Sequence, residues 1–522
     1  MNVVKAKSYF PLLCVLVLIV LIYLPALDIY LFGDGYVLLD YCYSGWRNPS
    51  IFFDLLNNFF RPIVNISYLL NYTLFGEQIS LYVLTTLCIH LLNVFFLYLL
   101  LIRITGRTRV ALTTVLLFGT SALYSGLTVG LAFAAMPDLT LLLFFLGIFL
   151  CFSMKQKKAG MLQHLVVVIC MLGAIGSKEA WIILPVMLLS LLLLAGSYSF
   201  KQGIVAIIPI SVVTGIYVTI LFIVPWLSNR SSALDYSGFN LSNINAMLTK
   251  MAYLLCHYVG LGEHYYGNLW ETTLICIAAL LFLGILIWFN NRLALLGMCW
   301  MIVANIPTLP VPYTPSHYNY MPLVGFWIMI VAFVDQIIRK LLLKTTIRKG
   351  YVSLIMGLCV VYLVLYNAIM LQTEIKDYRK LGDGAKTVLT MYKAIQDQLL
   401  ADRPLIFVNQ GMRTVVTETS QSLQGYAKLL FVRPQALWEL MHFHHLANFA
   451  GSPFEYRMIS IPEEEIGPIF QKEFQVLVFT DREFLLTKHY DTALRQYYGA
   501  HKRLPDRTAA YQIVPAPGSD VR

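Results

Sequence analysis

The feature that most constrains this chain is a recurrence of apolar runs long enough to cross a bilayer. A helix needs about 20 mostly apolar residues to span a hydrocarbon core about 30 Å thick. Such runs fall at 9–28, 80–102, 109–131, 138–154, 162–178, 181–197, 203–226, 271–289, 293–311, 318–338 and 350–371. They predict an all-α polytopic membrane protein with about eleven transmembrane helices. Only 13% of the 522 residues are charged, against about 25% in soluble domains, so a soluble enzyme is excluded for this part. Lys5 and Lys7 precede the first run and no small-residue cleavage site follows it, so it reads as a retained anchor. From Gln372 to Arg522 the texture becomes that of a soluble α/β domain.

Orientation follows from Lys and Arg in the short loops. With the N-terminus in the cytoplasm, fifteen of the twenty bases before residue 372 lie inside; only Arg47, Arg61, Lys178, Arg230 and Lys250 lie outside. This places residues 372–522 on the extracytoplasmic side and suits an integral multi-pass protein of a bacterial inner membrane. The acids divide the other way. Ten of the eleven before residue 372 are outer, and Asp335 is the exception. Acids contribute little to topology, so the asymmetry suits an acidic reaction site on the outer face or simply solvated outer loops. The net charge of +10 is largely positive-inside residues and gives no argument for nucleic acid. Nine cysteines, nearly all within spans, form neither a disulfide framework nor a CxxC metal site.

Two outer loops, 29–79 and 227–270, are long. The first carries aromatic-rich amphipathic stretches, Ile51 to Phe60 and Ile63 to Leu74, suited to lying in the membrane interface. The second carries Tyr253, His257, Tyr258, His264, Tyr265 and Tyr266. A third outer turn, Pro307 to His317, is Pro-rich. In the C-terminal domain, Ile375 to Leu400 reads as helix. Leu405 to Val408, Leu429 to Val432, Val476 to Phe479 and Tyr511 to Val514 read as strands. Sequons occur at Asn65, Asn71, Asn229 and Asn240; the first two read more naturally as interface residues.

Five stretches recur in an order that points to a family. They are "FGDGYVLLDY" from Phe32, "FFRPIVNISYLLNYTLFG" from Phe59, "IHLLNVFFLYLLL" from Ile89, "SKEAWIILPVMLLSLLL" from Ser177 and "SHYNYMPLVGF" from Ser316. Together they resemble the membrane part of GT-C glycosyltransferases, and most closely the bacterial relatives of protein O-mannosyltransferases. The resemblance implies transfer of a sugar from a polyprenyl-phosphate donor to a glycan, lipid or protein acceptor at the outer membrane surface. It implies that Asp34 is the catalytic base or orients the acceptor, with Asp40 as second candidate. On chemical grounds, a hydroxyl acceptor must lose its proton, which a carboxylate in hydrogen-bond reach can take. An acid at the end of a membrane helix also calls for a reason.

The chain departs from the family where many relatives carry a second acid after the third span. Here Val129 stands in "LYSGLTVGLAF" from Leu123, and Asp138 lies nine residues on. Asp138 reads as a substitute acid or as an N-cap beside Pro137. A lipid phosphate leaving group needs cationic or hydrogen-bonding partners. Arg61, Lys178 and His317 are the outer candidates, with Glu179, Tyr318 and Tyr320 beside them. Alternatively, Arg61 snorkels to the interface, Lys178 pairs with its neighbour Glu179, and Tyr318 and Tyr320 belong to an interfacial aromatic belt. No cofactor is assigned, and a divalent metal ion stays an open alternative. A divalent ion held by His257, Glu263 and His264 is conceivable, but their spacing follows no standard ligand pattern, and His442, His444 and His445 read as a chance surface run.

Three other functions fit a polytopic chain. A transporter or flippase predicts charges near the bilayer midplane and two related halves, and neither is evident. A glycan polymerase or ligase would also use lipid-linked sugars. A catalytically silent relative is suggested by Val129.

Overall fold

The structure is a computed structural model. It describes residues 9–30, 60–76, 78–122, 132–153, 161–195, 198–220, 244–258, 268–309, 316–344, 349–395, 405–409, 413–416, 475–479 and 484–487. Asp34, Asp40, Val129, Glu263, His264 and the expected strands at 429–432 and 511–514 lie outside these residues.

The helices are α1 (Tyr9–Tyr23), α2 (Pro62–Phe75), α3 (Ile79–Thr105), α4 (Thr108–Gly119), α5 (Ala132–Ser153), α6 (Met161–Ile175) and α7 (Leu184–Leu194). They continue with α8 (Phe200–Val218), α9 (Ile244–Tyr258), α10 (Leu269–Trp288), α11 (Arg292–Asn305), α12 (Tyr320–Lys344) and α13 (Lys349–Ile395). Among the described residues, seven helices are long and apolar enough to cross a membrane, and five shorter apolar helices accompany them. Exposure supports the same conclusion. Leu280, Leu281 and Trp288 on α10, and Leu358, Val361 and Tyr362 on α13, are exposed. Apolar faces of this length are compatible with lipid rather than water. The chain is a multi-pass membrane protein.

The described residues fall into two compact units. The larger takes those of 1–27, 50–67 and 80–376, and the smaller those of 28–49, 68–79 and 377–522.

Within the larger unit, polar contacts tie helix ends together at one side. Arg103 at the end of α3 donates to the Ser153 carbonyl at the end of α5 (2.9 Å). Asp335 on α12 pairs with Arg107 (3.2 Å) and with Arg339 (3.1 Å). Gln336 donates to the Phe289 carbonyl (2.7 Å), and the Lys340 ammonium lies 4.0 Å from the centre of the Phe289 ring. Near the start of α12, α11 and α12 cross closely because glycines face each other. A Cβ on Gly297 would stand 2.6 Å from the Gly325 carbonyl oxygen, and one on Gly325 2.4 Å from the Met301 nitrogen. Trp300 closes this contact by donating to the Met321 carbonyl (3.0 Å).

Several sequence expectations change. The run at 109–131 does not continue as one helix, because α4 ends at Gly119. There the backbone N–H of the cap residue, Thr120, bonds to the Leu116 carbonyl, and the Thr120 hydroxyl takes the same carbonyl (2.9 Å). Helix α5 starts at Ala132 and holds Pro137 inside it, so Asp138 is not an N-cap. The last span and the helix expected from Ile375 are one helix, since 371–376 contains no Pro or Gly to break it. Asn65 and Asn71 are buried, at 2% and 5% exposure, so in the fold neither presents its amide as an interfacial side chain.

Among the described residues, four short strands form a sheet in the order β2-β1-β3-β4. β1 (Leu405–Asn409) and β3 (Gln475–Phe479) coincide with two of the expected strands and pair in parallel. β2 (Arg413–Val416) and β4 (Phe484–Thr487) flank them antiparallel. Neither was expected, because four residues give too short a pattern to distinguish alternation from loop.

Candidate functional site

Three of the five sequence motifs meet at one place in the larger unit. Arg61 precedes α2, whose first residue is Pro62, a position that suits proline because the N–H there needs no helical partner. The next amide, Ile63 N–H, donates to the Gly176 carbonyl just past α6 (3.0 Å). The approach depends on Gly176, because a Cβ there would stand 2.7 Å from Ile63 Cγ1. Within α6, a Cβ on Gly173 would stand 2.3 Å from the Phe144 ring. Close packing of α6 on both α2 and α5 therefore brings Arg61, Lys178 and Asp138 together.

The charges pair crosswise. Lys178 Nζ bonds both oxygens of Asp138, at 2.6 and 2.7 Å. Arg61 forks onto Glu179, with Nε to Oε1 at 2.9 Å and Nη2 to Oε2 at 2.7 Å. The adjacent Lys178 and Glu179 thus take different partners instead of each other. The reason lies in the backbone. Lys178 is extended, with φ −160° and ψ 145°, and successive side chains of extended chain point to opposite sides. The Lys178–Asp138 pair is the deeper one, its side chains 11% and 6% exposed; Arg61 and Glu179 are 25% and 14% exposed. Arg61 is accordingly held in a bidentate ion pair rather than snorkelling free.

Aromatic groups line the cluster. The Lys178 ammonium lies 4.1 Å from the centre of the Tyr318 ring, a cation–π contact that gains strength where water is excluded. Trp181, fully buried, sits edge-on to Tyr217 of α8 with ring centres 5.0 Å apart. Tyr320 lies deeper, 0% exposed, and engages His90 and Asn93 (2.9 and 3.0 Å). It is a core group of the site rather than part of an exposed belt. His317 belongs to the short turn Ser316–Asn319 before α12.

The cluster stands at the end of α5 opposite Ser153, where Arg103 binds. Fifteen residues at 1.5 Å each separate Asp138 from Ser153, about 22 Å. Among the described residues, no group of three or more His, Cys, Asp or Glu is arranged to hold a metal ion. His90 and Asn93 were not singled out from the sequence, although both stand in "IHLLN". Their spacing of three, which places two residues on one helix face, was the available signal.

No known family matches the chain, and no curated protein matches it. Among solved structures it is similar to the crystal structure of ArnT from Cupriavidus metallidurans bound to undecaprenyl phosphate. That likeness has a TM-score of 0.49 at 12% identity and covers 91% of this chain and 94% of that one. So loose a likeness fixes neither activity nor site.

Proposed function

We propose that this chain is a GT-C glycosyltransferase that moves a sugar from a polyprenyl-phosphate donor to an acceptor at the extracytoplasmic membrane face. In this reading about eleven helices span the bilayer, and residues 372–522 form an α/β domain outside. One observation carries it: Arg61, the adjacent Lys178 and Glu179, and Tyr318, drawn from three different motifs of the family resemblance, converge within one cluster that Asp138 completes.

The chemistry follows from the cluster. A leaving lipid phosphate gathers negative charge, and cations fixed in advance stabilise it without reorganisation. Arg61 is the more exposed cation, and its fork matches two phosphate oxygens as it matches Glu179. Lys178 supplies a second positive charge, aimed by Asp138 and Tyr318. Asp138 thereby positions a cation, a different task from that of the missing family acid at Val129. Asp34 remains the proposed base that takes the acceptor proton, with Asp40 as the alternative. His317, next to Tyr318 in sequence, stays a proposed partner of the lipid phosphate. Each cation is paired with a carboxylate, Lys178 with Asp138 and Arg61 with Glu179, so in this reading they act as aimed hydrogen-bond donors, and no step is assigned to a metal.

The test uses purified full-length protein in lipid nanodiscs with polyprenyl-phosphate sugars as donors. Wild type should bind undecaprenyl phosphate and release it from a sugar-charged donor. Asp34→Asn should keep binding and lose transfer. Full transfer by Asp34→Asn would remove that residue from its role, and absence of any lipid-phosphate binding by wild type would remove the whole reading.

A further inference from the structure

Behind the ion cluster lies a second polar group that the proposed chemistry does not use. His90 and Asn93 lie on α3, inside a membrane-spanning segment, and both are 0% exposed. Polar groups so placed call for an explanation. The His90 ring is enclosed by those of Tyr23, Phe118 and Tyr320, with centres 5.7, 5.8 and 5.8 Å away.

The direction of each hydrogen bond can be worked out. His90 Nε2 faces the Gly119 carbonyl at 3.2 Å, and a carbonyl only accepts, so Nε2 carries the hydrogen. In the neutral ring, Nδ1 is then an acceptor. It takes the Tyr320 hydroxyl hydrogen at 2.9 Å. The Tyr320 oxygen in turn accepts from Asn93 Nδ2 at 3.0 Å. The other hydrogen of that amide goes to the Leu139 carbonyl, also at 3.0 Å.

This chain of bonds ends at both walls of the ion cluster. Leu139 follows Asp138 on α5. Tyr320 starts α12, two residues after Tyr318, whose ring lies against the Lys178 ammonium. Asn93 Oδ1 has no hydrogen-bond partner among the described residues. A leucine would fill that place without an unsatisfied buried oxygen, so packing alone does not explain an asparagine there. Its two N–H bonds do, because they hold α5 and α12 at one fixed separation.

We propose that His90 and Asn93 are positioning residues that act through Tyr320 to set the Asp138–Lys178–Tyr318 geometry. What that geometry serves rests on the glycosyltransferase reading above; the positioning itself does not. Asn93→Leu, His90→Leu and Tyr320→Phe remove the bonds at nearly constant volume, and each is compared with wild type in the full-length protein in nanodiscs.

The first readout is the infrared carboxylate band of Asp138, identified by its loss in Asp138→Asn, or by its splitting on aspartate isotope labelling should that variant not fold. Each of the three substitutions is expected to shift this band, and Asn93→Leu combined with Tyr320→Phe to shift it no further than one alone. The second readout is undecaprenyl phosphate binding, expected to weaken about tenfold. His90→Asn, whose amide oxygen can accept the Tyr320 hydroxyl, should retain the affinity that His90→Leu loses. Lower melting temperatures with an unmoved Asp138 band would overturn the proposal and leave a purely structural network. If wild type binds no undecaprenyl phosphate, the glycosyltransferase reading falls, and the Asp138 band alone decides the positioning.

Discussion

Lys178 and Asp138 form a contact whose energetics are asymmetric. Removing one partner strands a charge in a site where its counterpart is 6% or 11% exposed, and stranding a buried charge costs about 3–5 kcal/mol. Lys178→Met should therefore lower stability by about that amount in reversible denaturation, whereas Lys178→Met with Asp138→Leu should recover most of it. Equal losses in the single and double variants would mean that the pair is not coupled. Arg61 differs in kind, because its role is geometric. Lysine keeps the charge but loses the fork, so Arg61→Lys should fold normally and bind undecaprenyl phosphate about tenfold more weakly, a difference of about 1.4 kcal/mol. Unchanged affinity would show that the phosphate does not use this guanidinium. The sequence made each of these four residues visible as a charge out of place in an apolar chain. Their partners were not visible, since pairing depends on Lys178 being extended and on two glycines, Gly173 within α6 and Gly176 just past it, whose close contacts only the packed helices reveal.

At the scale of elements, helix contacts are set by what is missing as much as by what is present. Gly325→Ala would put a Cβ 2.4 Å from the backbone nitrogen of Met301, and backbone cannot swing aside as a flexible side chain can. The helices α11 and α12 would have to separate. Overpacking of this kind typically costs about 1–3 kcal/mol, so the melting temperature should fall; an unchanged melting temperature would mean the crossing tolerates the shift. Helix α9, in the loop expected outside, is held differently. Lys250 donates to the Thr308 carbonyl (2.6 Å), and burial draws its pKa down from 10.5 to about 8. Between those values the unfolded chain binds more protons than the folded one, so stability should rise with pH across that window and stay level below it. The neutral amine still donates to Thr308, so the contact survives deprotonation. Lys250→Met should abolish the rise in a pH series of melting curves, and a rise that persists would assign it to another group. The long apolar runs gave the existence of most helices. Their ends at Gly119 and Ala132 were hidden, because a hydrophobic run says where a helix is tolerated in lipid and not where its backbone turns.

For the molecule as a whole, the distribution of charge and the ion contacts describe the same axis. Arg103, Arg107, Arg339 and Lys340, all expected inside, meet at one set of helix ends with Asp335, the acid also expected there. Arg61, Lys178, Glu179 and Asp138, all expected outside, meet at the other. Each group is assembled from segments distant in sequence, so a wrong sidedness for one span would have scattered them. The pairing itself does not say which end faces the cytoplasm; that comes from the excess of Lys and Arg, which membranes retain inside. A labelling experiment separates the two statements. Single cysteines are placed in a cysteine-free background at Gly106, in the turn between α3 and α4, and at Phe60, beside Arg61. A membrane-impermeant maleimide added to intact cells should reach position 60 and not position 106, and inverted vesicles should reverse the pattern. Labelling of both from one side would break the two-ended arrangement. The opposite sidedness would keep the arrangement and place the ion cluster in the cytoplasm, where a donor carried on an extracytoplasmic lipid could not meet it.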